Sequence, residues 1–174
     1  MDADATNSIS QYLTFKLDQE LFAVDIGKVR EVLEFNTMTK VPRTPDFMRG
    51  VINLRGNVVP VVDVRLRLGL GTTDKTVDTC VVISEVAVDG ESIVLGALVD
   101  SVQEVIDLDA NHLAPPPHLG ARIDSSVIRG MGKRDDQFIM ILDLDRVFTA
   151  EELRNAAMGP EAAPEQEAMA SIQA

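Results

Sequence analysis

The stretch Arg49–Leu68, with the sequence RGVINLRGNVVPVVDVRLRL, decides the fold because a second copy of it occurs near the C-terminus. That copy is Arg129–Phe148, RGMGKRDDQFIMILDLDRVF, and it begins 129 − 49 = 80 residues later without a gap. Each copy has a glycine, a polar turn and an apolar run that ends in aspartate, Asp63 in the first and Asp143 in the second. An internal repeat of this kind indicates two copies of one structural unit.

The repeat continues towards the N-terminus in the same order. Val29–Leu33 (VREVL) matches Val102–Ile106 (VQEVI), and Leu17–Glu20 matches Val88–Glu91. The offsets are 102 − 29 = 73 and 88 − 17 = 71, so the second copy contains insertions. We therefore predict two modules, which occupy about residues 11–70 and about residues 77–148.

Short apolar runs between glycine and proline turns predict about five strands in each module. Gly56 suits a tight hairpin turn between the two strands of the first quoted stretch. In the second module, we predict a strand over Ser126–Gly130 and a turn over Lys133–Asp136. Arg30–Phe35 is either a strand or the end of a turn. Many short strands with little helix favour small antiparallel barrels, so we predict an all-β fold of two SH3-like five-stranded barrels with short helices.

The flanks of the repeat have a different character. Thr149–Glu152 has the sequence TAEE, a capping box that predicts a C-terminal helix over about residues 149–157. Residues 158–174 are rich in Ala, Glu and Pro, which predicts a disordered tail. Residues 1–10 are predicted to be a flexible N-terminus, so the folded domain is expected over residues 11–152.

Composition excludes several classes of function. The net charge is −12, and nucleic-acid surfaces depend on clustered Lys and Arg, so nucleic-acid binding is not expected. An anionic membrane surface would also repel this chain. No apolar run approaches the ~18 residues of a membrane span, and the acidic N-terminus does not read as a signal peptide. We expect a cytoplasmic protein. The single cysteine, Cys80, allows no internal disulfide and reads as a buried thiol in a strand.

Residues that could carry chemistry are few. His112 and His118 lie beside a proline-rich loop, without a catalytic motif or metal-ligand spacing around them. Asp143 and Asp145 could share a cation, although such a pair more often caps a helix. We therefore predict no cofactor, no metal and no enzymatic activity.

One enzymatic alternative rests on Asp63. Val58–Asp63 has the sequence VVPVVD, which is similar to the strand that precedes the phosphoacceptor aspartate of a response regulator. That chemistry needs an acidic pair on an earlier strand to hold Mg²⁺, and no such pair follows Tyr12–Leu17. The repeat accounts better for Asp63, because Asp143 occupies the same place in the second copy.

Four stretches together resemble the CheW family of bacterial chemotaxis coupling proteins. They are Phe22–Val32, Pro42–Pro45, Phe47–Arg65 and Val99–Val105, and the NLRG core of the third is the most specific. The resemblance runs from about Gln11 to Glu152. The same fold forms the regulatory domain of the histidine kinase CheA and the first domain of CheV. Since this sequence has neither a kinase module nor a receiver domain, it looks like a stand-alone CheW.

The resemblance implies two intertwined SH3-like barrels and a scaffold function without catalysis. CheW proteins link the cytoplasmic tips of transmembrane chemoreceptors to CheA and help to form membrane-associated receptor arrays. This family role implies receptor-binding residues at Glu31 and Arg55, with Val29 and Val102 as apolar residues that line a groove between the barrels. Without the family, Glu31 could be a solvated strand residue and Arg55 an ordinary hairpin-tip residue.

Contacts with the regulatory domain of CheA are assigned to apolar residues in loops that we expect to be exposed. The candidates are Val41, Phe47 and Met48, which could equally cover the core. The second copy departs from the family pattern, because Lys133–Asp136 replaces the NLRG turn. Partners that bind both barrels therefore cannot bind them equivalently.

Overall fold

The computed structural model describes residues 9–35, 38–109, 113–115, 125–134, 136–149 and 151–152. Ten strands account for most of this part of the chain. They are β1 Ile9–Leu17, β2 Glu20–Asp25, β3 Val29–Glu34, β4 Met48–Leu54, β5 Asn57–Asp63, β6 Cys80–Val88, β7 Glu91–Val99, β8 Ser101–Asp109, β9 Ile128–Arg134 and β10 Gln137–Leu142. The short helices are α1 Val64–Arg67 and α2 Leu144–Val147, with 3₁₀ turns at Ile26–Lys28 and Ser125–Val127.

The strands form two curled five-stranded sheets. Barrel A has the strand order β8-β1-β2-β10-β9, and barrel B has the order β3-β6-β7-β5-β4. The predicted all-β fold of two SH3-like barrels is confirmed. Each barrel takes strands from both copies of the repeat, since β1 and β2 join β8–β10 while β6 and β7 join β3–β5. The barrels are therefore intertwined, as the family resemblance implied.

The two barrels have the same internal pairing. In barrel B, β5 pairs in parallel with β7, with Val62 opposite Ala97. In barrel A, β10 pairs in parallel with β2, with Ile141 opposite Ala23. The antiparallel pair β3–β6 of barrel B has its counterpart in the pair β8–β1 of barrel A. The first five strands thus correspond one by one to the last five, and a pseudo-twofold relation connects the barrels.

One apolar core joins the two barrels. Its largest cluster contains Phe15 and Phe22 from barrel A together with Val82 and Leu95 from barrel B. Aliphatic side chains fill most of this core, as expected for a chain with 4% aromatic residues. Because this cluster takes residues from both barrels, it joins them, while each barrel also encloses a smaller cluster of its own, around Ile106 in barrel A and around Ile83 in barrel B.

The repeated glycines Gly50 and Gly130 lie where another segment of backbone approaches closely. Thr39 and Val51 exchange backbone hydrogen bonds of 3.0 and 2.8 Å, and Ala114 and Met131 do so at 2.8 and 2.9 Å. A Cβ atom would lie 2.6 Å from the Thr39 carbonyl oxygen at Gly50 and 2.9 Å from the Ala114 carbonyl oxygen at Gly130. This close approach explains why glycine occupies the same position in both copies of the repeat.

The repeated aspartates cap the two short helices, as predicted. Asp63 Oδ1 accepts a hydrogen bond from Leu66 N at 3.1 Å, and Asp143 Oδ1 accepts one from Asp145 N at 3.1 Å. The capping box is also confirmed: Thr149 N donates to Glu152 Oε1 at 2.9 Å, and Glu152 N donates to Thr149 Oγ1 at 3.0 Å. Residues 151–152 are helical, and the rest of the predicted C-terminal helix lies outside the described residues.

Several local predictions require correction. Ser126 lies in a 3₁₀ turn, so the predicted strand Ser126–Gly130 begins only at Ile128. Lys133 and Arg134 belong to β9 and not to a turn. Arg30–Glu34 is part of strand β3, which settles the open choice there. Cys80 is half-buried, so the prediction of a fully buried thiol was wrong.

Some predicted features fall outside the described residues. They are residues 1–8 of the N-terminus, the tail over residues 158–174, and the histidines His112 and His118.

Candidate protein-binding groove

A groove of about 690 Å³ runs across barrel B. Strand β3 forms one wall, the β4–β5 hairpin forms the other, and residues of β6 and β7 lie between them. The residues that line it are Gly27, Val29, Arg30, Glu31, Leu54, Arg55, Asn57, Val58, Val59, Ile83, Glu85 and Val94.

Strand β3 positions Glu31 in this groove. The strand is half-buried at Val29, Glu31 and Leu33, whereas the residues between them are exposed. A β-bulge lies between Val29, which is opposite Ser84, and Glu31, so simple alternation does not hold at this point of β3. Glu31 lies opposite Ile83 of β6, which places its carboxylate beside the apolar floor.

A tight turn positions Arg55. The backbone at Arg55 and Gly56 has positive φ values of 52° and 88°, which close the two-residue hairpin between Leu54 and Asn57. Asn53 Oδ1 accepts a hydrogen bond from Gly56 N at 2.9 Å. The Arg55 side chain is 69% exposed, and its Nη2 donates to Glu31 Oε2 in an ion pair. The pair connects the hairpin tip to β3 across the groove.

Apolar surface lies next to this ion pair. Val58 follows the hairpin turn and is 64% exposed, although it is a large aliphatic residue. Val59 and Ile83 are buried and also form part of the groove lining. The groove therefore combines an apolar surface that could bind a partner with a charged pair at its rim.

A second ion pair lies on the same rim. Arg30 Nη2 donates to Glu85 Oε1, and Ser92 Oγ donates to Glu85 Oε2. The hydrogen bond from Ser92, followed by that from Arg30, holds the pKa of Glu85 below its usual value. Both carboxylates that line the groove are thus paired with an arginine within the chain.

The structure brings together three of the four residues expected to bind receptors. Val29, Glu31 and Arg55 line the groove, whereas Val102 does not. Val102 lies on β8 of barrel A and packs against the shared core. Val102 is the counterpart of Val29 in the repeat, so it occupies in barrel A the place that Val29 occupies in barrel B.

Sequence reasoning missed Val58 as a groove residue. Its position was visible in the sequence, because it directly follows the NLRG turn and begins an apolar run. β5 is buried at every position from Val59 to Asp63, so buried and exposed residues do not alternate along it. The sequence pattern therefore gave no sign that Val58 is exposed.

The three candidates for kinase contact lie in different environments. Val41 is half-buried in the loop before β4. Phe47 and Met48 are each 7% exposed, so the expectation that they project from an exposed loop was wrong. Phe47 packs against Phe148, with ring centroids 4.9 Å apart, and the Arg67 guanidinium lies 5.5 Å from the Phe47 ring centroid. Both residues cover the core, which was the stated alternative.

The surroundings of Asp63 argue against a phosphoacceptor. Its side chain is 0% exposed. Oδ2 accepts from Arg49 Nη1 at 2.8 Å and from Thr73 N at 3.0 Å, while Oδ1 accepts from Thr73 Oγ1 at 2.7 Å and from Leu66 N at 3.1 Å. Both oxygens are thus bound within the protein and shielded from an incoming phosphoryl group.

Within the described ranges, no group of three or more His, Cys, Asp or Glu side chains is arranged to hold a metal ion. In the same ranges, no helix has the length and apolar character needed to cross a membrane.

Comparison with known proteins places these features in a family. Residues 11–152 match the CheW-like domain. The chain is 34% identical to the chemotaxis protein CheW of Rhizobium meliloti over 152 residues, which cover 87% of this chain and 95% of the relative. It is 30% identical to the chemotaxis protein CheW of Thermotoga maritima, with 84% and 91% covered.

A solved structure gives the same result. The crystal structure of the scaffolding protein TtCheW from Thermoanaerobacter tengcongensis matches with a TM-score of 0.71 and 37% identity. The match covers 82% of this chain and 90% of that chain. The domain match, the two relatives and the shared fold show that the chain belongs to the CheW-like domain family.

Proposed function

We propose that this chain is a non-enzymatic chemotaxis adaptor that couples transmembrane chemoreceptors, the methyl-accepting chemotaxis proteins, to the histidine kinase CheA and supports receptor-array assembly. It would act in the cytoplasm and be recruited to membrane-associated arrays. The observation that carries the proposal is the Glu31–Arg55 ion pair beside the exposed Val58 in the barrel B groove. Membership of the CheW-like domain family supports the choice of partners.

A receptor tip is a helical bundle, so binding would place the apolar face of a helix in the groove. Val29, Val58 and Val59 supply apolar area for this contact. A helix satisfies its own backbone hydrogen bonds and needs only side-chain contacts from the groove. Burial of the exposed Val58 side chain would contribute about 1–2 kcal/mol to binding.

The charged pair at the rim would determine the register of the helix. Ion pairs at exposed positions contribute only about 0–1 kcal/mol, so a partner can replace the Glu31–Arg55 contact at little cost. Charged groups on the receptor would then pair with Glu31 and Arg55 individually. A helix with charges in the wrong place would leave both groups poorly paired and would bind less tightly.

Kinase contact would use the ends of the barrels. SH3-like modules on two different chains can pack with pseudo-symmetry, and the regulatory domain of CheA is expected to have the same fold. Val41 offers a half-buried apolar contact in the loop before β4. Because Phe47 and Met48 are buried, they would act by holding this loop in place.

Co-sedimentation tests the groove. Receptor-containing membranes and CheA are mixed with the wild-type chain, Glu31→Ala or Arg55→Ala, and bound chain and kinase activity are measured. We expect both variants to lose recruitment to the receptor. Glu34→Ala, an exposed glutamate on the same strand, and Arg129→Ala, an exposed arginine of barrel A, are the matched controls and should behave as wild type. Normal recruitment and kinase control in both groove variants would refute the proposal.

A further inference from the structure

Barrel A carries a second groove, of about 500 Å³, at the position that corresponds to the first. Its lining residues are Thr14, Lys16, Gln19, Glu20, Leu21, Gln103, Glu104, Ile106, Arg134, Gln137, Phe138 and Ile139. Asn57, Val58 and Val59 of the first groove have Gln137, Phe138 and Ile139 as counterparts in the repeat, 80 residues later. The two grooves therefore use the same places in the two barrels.

The charged pair also has a counterpart. Glu31 corresponds to Glu104, since 104 − 31 = 73. Arg134 is the last residue of β9 before the β9–β10 turn, whereas Arg55 lies within the β4–β5 turn. Arg134 Nη1 lies 3.9 Å from Glu104 Oε2, at the outer limit of an ion pair. In barrel B, by contrast, Arg55 and Glu31 are in direct hydrogen-bonded contact. The pair of the second groove is therefore loosely held.

An aromatic anchor replaces the valine of the first groove. Phe138 is 57% exposed, whereas the other Phe residues and Tyr12 are buried or half-buried. Aromatic side chains are enriched at the energetically dominant positions of protein interfaces. Its burial by a partner would remove a large apolar surface from water.

The remaining charges of this rim are also available to a partner. Within the described residues, Lys16 and Glu20 form no ion pair with another side chain, and both are exposed. The first groove differs, because Arg30 and Arg55 are both paired with carboxylates there. A partner of the second groove could thus form ion pairs with Lys16 and Glu20 without replacing an internal pair.

The pairing of the strands indicates what kind of segment fits. The floor consists of β1, β2 and β10, and each of these strands has a paired neighbour on both sides. An extended peptide laid on this floor would find no free strand edge to pair with, because the end strands of the sheet, β8 and β9, lie at the walls of the groove. A helix needs none, since its backbone groups are paired internally. The floor therefore suits an amphipathic helix with an apolar stripe over Phe138 and charged residues of both signs beside it.

We propose that the second groove binds a helix of a second receptor tip, so that one chain holds two helical tips through its two barrels. This inference rests on the proposed function, because it takes the same class of partner for both grooves. The two contacts would differ in register and affinity, since Phe138 stands where the first groove has Val58 and the NLRG turn is absent from the second copy.

Nuclear magnetic resonance can separate the two sites. The isotopically labelled full chain is titrated with a soluble helical-hairpin fragment of a receptor tip, and chemical shifts and stoichiometry are recorded. We expect two groups of shifted signals, one around Glu31 and Arg55 and one around Lys16 and Phe138, with two fragments bound per chain. Phe138→Ser should weaken the second site at least about tenfold and leave the first unchanged. Val77→Ser, at a 98% exposed valine outside both grooves, is the matched control.

Each outcome has a distinct consequence. Shifts confined to Glu31 and Arg55, or a titration that Phe138→Ser does not alter, would overturn the second site and leave the proposed function intact. Shifts confined to Phe138 would support the second groove and refute the first. In a parallel titration with the regulatory domain of CheA, a shift of the Phe138 signal that the receptor fragment does not produce would show that a receptor helix is the wrong occupant.

Discussion

Lys28 Nζ lies 2.8 Å from Asp145 Oδ2, in an ion pair between residues 117 positions apart in the chain. Lys28 belongs to the 3₁₀ turn that leads directly to Val29 and the first groove. Asp145 belongs to α2, which follows the last strand of barrel A, and its Oδ1 also accepts a hydrogen bond from Ala87 N of β6 at 2.8 Å. One carboxylate thus connects α2 to two parts of the chain near barrel B.

Substitutions at this contact should differ in their effect on stability. Asp145→Ala removes both the ion pair and the acceptor for Ala87 N, so we expect a loss of about 1–2 kcal/mol in the free energy of unfolding. Lys28→Met removes only the half-exposed ion pair and should cost less than about 1 kcal/mol. Urea denaturation measures both values. Equal losses in the two variants would show that the bond to Ala87 contributes nothing.

The two repeated aspartates offer a matched comparison of burial. Asp63→Ala should cost about 3–5 kcal/mol, because it leaves Arg49 without its buried partner and also removes a helix cap. Asp143→Ala removes a cap whose side chain is 24% exposed, and we expect a loss of about 1 kcal/mol. Thermal or urea unfolding of both variants tests the difference. A similar loss at the two sites would mean that the buried network around Asp63 does not stabilise the fold.

The glycines Gly50 and Gly56 differ in what surrounds them. Gly50→Ala would place a Cβ atom 2.6 Å from the Thr39 carbonyl oxygen, so we expect the Thr39–Val51 bridge to open and stability to fall by about 1–3 kcal/mol. Amide hydrogen exchange of Thr39 and Val51 should accelerate. Gly56→Ala has no atom within 4 Å of the new Cβ and should cost only about 1 kcal/mol for its positive φ. Unchanged exchange at Thr39 in Gly50→Ala would contradict this account.

The single thiol should react slowly for its degree of exposure. Burial raises the pKa of Cys80, an effect that a backbone hydrogen bond at Val102 partly offsets. Less thiolate is therefore present at a given pH, and alkylation by iodoacetamide should need a higher pH in the folded than in the unfolded chain. The folded state holds its proton more strongly, so this group contributes stability below the unfolded pKa that is lost as pH rises through the folded pKa. Matching pH profiles for folded and unfolded chain would refute the shift.

Much of the fold could be predicted because residues that mark the ends of strands recur in both copies of the repeat. The cap residues Asp63 and Asp143 mark the ends of β5 and β10, and turn residues such as Gly56 mark the hairpins. The exchange of strands between the barrels could not be derived from periodicity. Alternation predicts that β1 is a strand, but it does not say whether β1 pairs with a neighbour in its own copy or with β8.

The candidate site was predicted only in part, because the sequence does not show which residues come together in space. Glu31 and Arg55 are 24 residues apart in sequence, and only the family resemblance indicated that they act together. The family resemblance assigned Val102 to the same site as Val29, but these two equivalent residues of the repeat lie in different barrels because the strands are exchanged. Phe47 and Met48 looked like loop residues from the prolines before them, although the Phe47 ring packs on Phe148, 101 positions further along the chain.

The strand order also has a consequence for synthesis on the ribosome. Barrel B is formed by one continuous stretch, from Val29 to Val99, so all its strands are available once that stretch has emerged. The hairpin of β1 and β2 precedes barrel B in the chain, yet its outer partners follow barrel B: β8 ends at Asp109 and β10 at Leu142. A chain that stops after β8 could pair both edges of β1 but would leave one edge of β2 without its partner, so barrel A is completed only after barrel B has all its strands.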